Sequence, residues 1–292
     1  MVDHIAFVGV GLIGGSLALA LKQSGYCRQT TGYARNRANL ELAKKMGALD
    51  HLAENVAYAV KDADIIVLAV PLGAMEGVFA EICKTAKPDA IITDVGSAKG
   101  VVVNLARRIM PERLAYLVPA HPIAGKEHSG VVHAEAGLFA DHYTILTPIP
   151  ETDKEVLQRI VAMWEVTAAK VVCMDVEHHD QVLAATSHLP HLLAYLLVHM
   201  LTKLETEREI FRFAAGGFYD FTRIASSSPE MWRDICLHNQ KPILDMLKTF
   251  RSEVDSLIDI LQSGNGEGLH ELFEGAKRRR DQLIAEKDAE KH

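Results

Sequence analysis

Apolar residues gather in short unbroken blocks through the first half of the chain and in wide stripes of helical period through the second. The blocks are residues 4–10, 30–34, 63–71, 90–96, 114–119 and 143–147, with helical patterns such as 13–21 between them. Unbroken apolar runs alternating with helices predict parallel strands covered on both faces. Pro148-Ile149-Pro150 marks a break. Beyond it, a helix over 153–166 and a strand over 170–174 are expected to pack on the same sheet. From Glu177 the strand pattern stops, and residues 180–204, 209–213, 229–262 and 267–286 read as helices. Leu192, Leu193, Leu196, Leu197, Met200 and Leu201 form a wide apolar stripe on the first of these. So much apolar helix surface in 292 residues predicts burial against a partner, a homodimer built through the helical half.

The first block runs straight into Gly9-x-Gly11-x-x-Gly14, and a helix follows. Strand, glycine turn and helix in that order form a dinucleotide fingerprint. Gly9 permits the tight turn, Gly11 lets backbone N–H groups approach a pyrophosphate, and Gly14 lets helix and strand pack closely. The N–H groups at the helix start, including those of Leu12 and Ile13, face the diphosphate. A glycine-rich turn without a ligand is the plainer alternative. The fold class is therefore α/β: an N-terminal Rossmann-type doubly wound sheet over residues 1–175, the NAD(P)-binding domain, then an all-α C-terminal domain over residues 176–292 for substrate binding and dimerisation. At the end of the second strand, where NAD-binding units carry an acidic residue for the ribose 2′-hydroxyl, this chain has Ala34 followed by Arg35 and Arg37. No carboxylate there repels a 2′-phosphate, and two guanidiniums suit one. NADP is favoured, with NAD still open.

A net charge of −7 argues against general affinity for nucleic acid or an anionic membrane. The basic run Lys277-Arg278-Arg279-Arg280 lies among Asp281, Glu286, Asp288 and Glu290 and reads as a solvated helix end. Cys27, Cys83, Cys173 and Cys236 are scattered singles, so neither a zinc knuckle nor a disulfide framework is indicated. The chain opens on a strand, leaving no room for a signal peptide, and offers no stretch of about 20 uninterrupted apolar residues. A cytoplasmic enzyme acting on a small molecule is expected.

Ligands of open α/β sheets bind beyond the carboxyl ends of the strands. Polar clusters fall there: Asp94-Val95-Gly96-Ser97-Ala98-Lys99 and His121-Pro122-Ile123-Ala124-Gly125-Lys126-Glu127-His128-Ser129-Gly130, with Val70-Pro71 as a wall beside a nicotinamide. The helical half adds Ser187-His188-Leu189-Pro190-His191, then Gly216-Gly217-Phe218-Tyr219-Asp220-Phe221-Thr222-Arg223, and Trp232 soon after. In these pieces, taken in order and together with the glycine turn, the chain resembles the prephenate/arogenate (cyclohexadienyl) dehydrogenases of tyrosine biosynthesis over nearly its whole length. The glycine turn alone is generic; the His121 stretch with the Ser187–His191 segment is specific.

The resemblance implies oxidative decarboxylation of prephenate to 4-hydroxyphenylpyruvate, of arogenate to tyrosine, or of both, with hydride passing to NAD(P). His121 matches the catalytic histidine, which takes the ring-hydroxyl proton. Ser97 matches a residue bonded to the same hydroxyl and close to the cofactor; a helix N-cap is its other reading. Arg223 matches the arginine that grips the substrate carboxylate, against an ion pair with Asp220. His188, His191, Gly217 and Trp232 match the substrate side. Glu127 matches a gating position, although Lys126 and His128 flank it as in a surface loop. A metal at His178, His179, His188 and His191 lacks an evident third spaced ligand, and none is expected. The competing class is another two-domain NADP-dependent reductase, of 3-hydroxyacid dehydrogenase or imine reductase type, resting on a helical-half lysine such as Lys203, Lys241 or Lys248. A cofactor-sensing module would not need His121, Ser97 and Arg223 together.

Overall fold

Each strand of the main sheet alternates its side chains between two packed faces. In the computed structural model, which describes residues 1–126 and 128–289, β1 (Val2–Val8) sends Ile5 and Phe7 into one apolar cluster and Ala6 and Val8 into the other. The helix α1 (Leu12–Gln23), β2 (Cys27–Tyr33), α2 (Arg37–Lys45), β3 (His51–Leu52), α3 (Val56–Val60), β4 (Ile65–Leu68), α4 (Met75–Thr85), β5 (Ile91–Asp94), α5 (Gly100–Ile109) and β6 (Leu117–Val118) complete a six-stranded parallel sheet. Its order is β3-β2-β1-β4-β5-β6. The direction of winding reverses between β1 and β4, so their carboxyl ends open a crevice.

The strands at 143–147 and 170–174 form as expected but do not join that sheet. β7 (Ala120–Pro122) pairs antiparallel with β8 (Tyr143–Leu146), which pairs parallel with β9 (Lys170–Cys173). This is a second, mixed sheet of order β7-β8-β9. α6 (Lys154–Glu165) lies between β8 and β9 in sequence, and its Ile160, Met163 and Trp164 join the first cluster.

The segment expected as one helix over 180–204 is two. α7 (Val176–Leu183) and α8 (Leu189–Leu201) are joined by a π turn over Ala184–His188. Pro190 explains it: proline has no N–H to donate to the carbonyl four residues back, and its ring crowds that turn. Within this run, Val176–Leu201, an 18-residue window reaches a mean hydropathy of 1.3, enough by length and composition alone to cross a membrane. The sequence reading did not anticipate that. The buried His179, Asp180 and His188 sit within it. α9 (Glu207–Arg212), α10 (Gly216–Thr222), α11 (Pro229–His238), α12 (Gln240–Gln262) and α13 (Gly266–Ala289) follow. The expected helix over 229–262 breaks at Asn239.

Two compact units result, Met1–Ile243 and Leu244–His292. α11 belongs with the sheet, because Trp232 and Ile235 add to the second cluster.

Candidate active site

Three glycines shape the turn after β1. Gly9 has φ +97°, and a Cβ there would lie 2.2 Å from the Ala69 carbonyl oxygen at the end of β4. A Cβ on Gly14 would meet the Gly9 oxygen at 2.5 Å and the Ala69 Cβ at 2.9 Å. Gly11 differs: no described residue stands within 4 Å of its Cβ position, and it opens α1 on the wall of a cleft of about 800 Å³. Two glycines therefore serve the fold and the third leaves room for a ligand. A pyrophosphate fits there, against the unpaired N–H groups of a helix start.

Gly11, Leu12, Ile13, Gly14, Val70, Pro71, Ser97 and His121, all expected at the site, line this one cleft. Gly9 supports it from behind. Lys126, His128, His133, Ser226, Glu230 and Asp234 are among the other polar residues of the wall. Ala34, Arg35 and Arg37 are not in the lining; they follow β2, where Arg37 opens α2 and pairs with Glu41 at 3.4 Å.

Asp94, the last residue of β5, organises the loop that carries Ser97. One carboxylate oxygen accepts from Gly96 N–H (2.7 Å) and the Lys99 ammonium (2.5 Å), and the other from Ala120 N–H (3.2 Å). Lys99 is fully buried and also donates to the Ala120 carbonyl. Burial pulls its pKa down while Asp94 opposes that shift. The start of α5 is capped from 81 residues away: Asp180 accepts from Lys99 N–H and Gly100 N–H at 2.8 Å each. The N-cap reading of Ser97 therefore fails, since Asp180 fills that role and Ser97 is left on the cleft wall.

His121, in β7, meets His179 of α7, Nδ1 to Nε2, at 3.0 Å. His179 Nδ1 lies 2.8 Å from an Asp180 carboxylate oxygen. Burial first, then His179, Lys99 and His188, holds the His121 imidazole well below its usual pKa. His179 is also lowered, by burial, with Asp180 opposing. Burial pushes Asp180 up, yet its bonds from His179, Lys99 N–H and Gly100 N–H leave it below the usual carboxylate value. Two neutral imidazoles beside an ionised carboxylate result. Sequence reasoning missed His179 and Asp180 as partners of His121.

His188 is buried, and its pKa falls to about 4, through burial first. Its Nδ1 accepts from the Asn239 amide, so its proton sits on Nε2, which finds no acceptor among the described residues. The Trp232 indole N–H is likewise without an acceptor, and the two rings meet edge-on at 6.0 Å. His191 stacks on Trp232 at 4.0 Å. Arg223 is exposed and close enough to depress His191. Gly217 is exposed in α10. None of His188, His191, Trp232, Arg223 and Gly217 lines the cleft itself. Glu127 lies outside the described residues. Among those residues, no cluster of three or more His, Cys, Asp or Glu could hold a metal.

A doubly wound sheet with a glycine turn and a histidine on one cleft defines a dinucleotide-dependent oxidoreductase. Family models agree: "Prephenate dehydrogenase, nucleotide-binding domain" matches residues 17–173, and "Prephenate dehydrogenase, dimerization domain" matches residues 175–275. The cyclohexadienyl dehydrogenase of Zymomonas mobilis is 37% identical, covering 98% of this chain and 97% of that protein. The prephenate dehydrogenase of Bacillus subtilis is 39% identical over 97% of this chain and 76% of its own length. The crystal structure of prephenate dehydrogenase from Aquifex aeolicus with hydroxyphenyl propionate and NAD+ superposes with TM-score 0.91 at 33% identity, covering 97% of this chain and 99% of that one. The chain belongs to the prephenate dehydrogenase family. This sets aside the other two-domain reductases.

Proposed function

We propose that this chain catalyses oxidative decarboxylation of prephenate, and of arogenate where it is offered, with NADP preferred over NAD. The carrying observation is His121: neutral, on the cleft wall, one ring nitrogen held by His179 and the other without a partner among the described residues. When bound, the nicotinamide cofactor supplies the hydride acceptor. His121 Nε2 takes the proton of the ring hydroxyl as hydride leaves the same carbon, and returns it to the phenolate oxygen. The carboxylate on the opposite ring carbon departs as carbon dioxide, its bonding pair entering the ring. Aromatisation supplies the driving force, so the protein has to orient and to manage one proton. Ser97 bonds the same hydroxyl. By the family resemblance Arg223 is assigned to a substrate carboxylate, and His188, His191, Gly217, Glu127 and Trp232 to the substrate side; the described ones among them stand off the cleft wall rather than on it. Residues 1–175 serve the dinucleotide and 176–292 the substrate and a homodimer.

The NADP preference rests on Ala34, with no acidic side chain at the 2′ position, and on Arg35, which is exposed, whereas Arg37 is held by Glu41. Nicotinamide reduction by the purified chain, with NADP or NAD and prephenate or arogenate, tests both points. Turnover should be fastest with NADP and prephenate. Equal or better turnover with NAD makes the arginines bystanders, and no reduction in any combination overturns the proposed reaction.

A further inference from the structure

An imidazole is a base at Nε2 only when its proton sits on Nδ1, and nothing in an isolated histidine enforces that choice. His121, His179 and Asp180 form a line that does. The Asp180 carboxylate already accepts two backbone N–H groups, from Lys99 and Gly100, and can only accept from His179. With His179 Nδ1 at 2.8 Å from that carboxylate, the reverse tautomer would set a nitrogen lone pair against an anion. The His179 proton therefore sits on Nδ1, and its Nε2 carries the lone pair. At 3.0 Å from that lone pair, His121 Nδ1 must be the donor. We propose that His179 and Asp180 are positioning residues for the dehydrogenase reaction: Asp180 fixes the tautomer of His179, which fixes that of His121 and leaves its Nε2 bare toward the cleft.

The same line answers the charge that forms. His121 becomes cationic when it takes the hydroxyl proton, close to the buried Lys99 and to His188. Asp94 balances Lys99. Asp180, reached through His179, balances the new imidazolium. His179 is sealed from solvent, so bulk water has no ready route to replace it. The logic is that of a carboxylate orienting a catalytic histidine, extended by one imidazole.

This inference rests on the proposed reaction, and two readouts separate their failures. His179→Phe removes the acceptor, whereas His179→Gln offers an amide oxygen to the same Nδ1–H. With prephenate and NADP, His179→Phe should lower kcat roughly 10²–10³-fold, within the range lost with a general base. KM and cofactor affinity should stay within about threefold, and His179→Gln should recover about tenfold or more of the lost rate. Wild-type kcat and pH profile in His179→Phe overturn the proposal. So does equal damage in both variants with raised KM, which marks a merely structural residue. The second readout needs no turnover: ¹⁵N-histidine NMR of the resting wild-type protein should show His121 protonated at Nδ1 and bare at Nε2. The opposite tautomer overturns the relay even if the enzyme is active. If wild type turns over neither substrate while the tautomer is as expected, it is the reaction that has failed.

Discussion

The surroundings of His121 make a signed prediction. Burial and the neighbouring His179, Lys99 and His188 keep it neutral well below the pH at which a solvated histidine charges. As pH falls, the base is lost only when its lowered folded-state pKa is crossed. The acid limb of kcat/KM should therefore lie below about pH 6.5, the unperturbed histidine value. His121→Asn should lose roughly 10²–10⁴-fold in kcat, keep cofactor affinity, and lose that limb. An acid limb above pH 6.5, or a His121→Asn variant with wild-type turnover, would show that the base is another group. The same burial has a linkage consequence. His121, His179 and His188, the last at about 4, bind protons more readily unfolded than folded. Their contribution therefore erodes the folded state as pH falls from about 6.5 toward 4. His121 was legible because its neighbours form a recognisable stretch. His179 and Asp180 were not, because a His-Asp pair near a helix start reads as solvated polarity, and its partners lie 58 and 81 residues away.

At the scale of elements, the glycine turn separates building from binding. Gly9 cannot accept a side chain, both for its φ of +97° and for the 2.2 Å approach to the Ala69 oxygen. Gly9→Ala should destabilise by about 1–3 kcal/mol or more, a loss measurable by chemical denaturation. Gly11→Ala has open space around the new methyl. It should keep wild-type stability and weaken cofactor binding, measured as Kd by fluorescence. If Gly11→Ala unfolds the chain while Gly9→Ala does not, the roles given to the two glycines are reversed. The parallel strands were readable because burial on both faces leaves unbroken apolar runs. Which sheet a strand joins was not readable: β8 and β9 carry the same apolar signature whether they extend the main sheet or form a second one. The two-residue β3 is too short to leave any pattern. The π turn before α8 was foreshadowed by Pro190, whose missing N–H the helical stripe masked. The break at Asn239 has a tertiary cause, since its amide donates to the Asp180 carbonyl and to His188.

The whole molecule has more apolar surface than it covers. Leu196 and Met200 of α8 lie one turn apart and are 58% and 51% exposed. In the second unit, no described residue from Leu244 to Ala289 is buried. Phe250, Val254, Ile258 and Leu261 nevertheless follow the spacing of a single helix face. Long helices that bury nothing are marginal in water, because helical stability in proteins comes mainly from packing an apolar face. Residues 175–275 match a dimerisation domain, which points to a second copy of the chain as the cover for these faces. Light scattering on a sizing column should then give twice the 32.1 kDa of one chain at micromolar concentration. Placing a charge on the stripe, as in Ile258→Glu or Leu261→Glu, should shift the mass toward 32.1 kDa, since an unpaired carboxylate resists burial. A wild-type chain that elutes as a monomer would leave those faces in water and remove the homodimer from the proposal. It would leave the cleft untouched, because every residue that lines it belongs to the first unit.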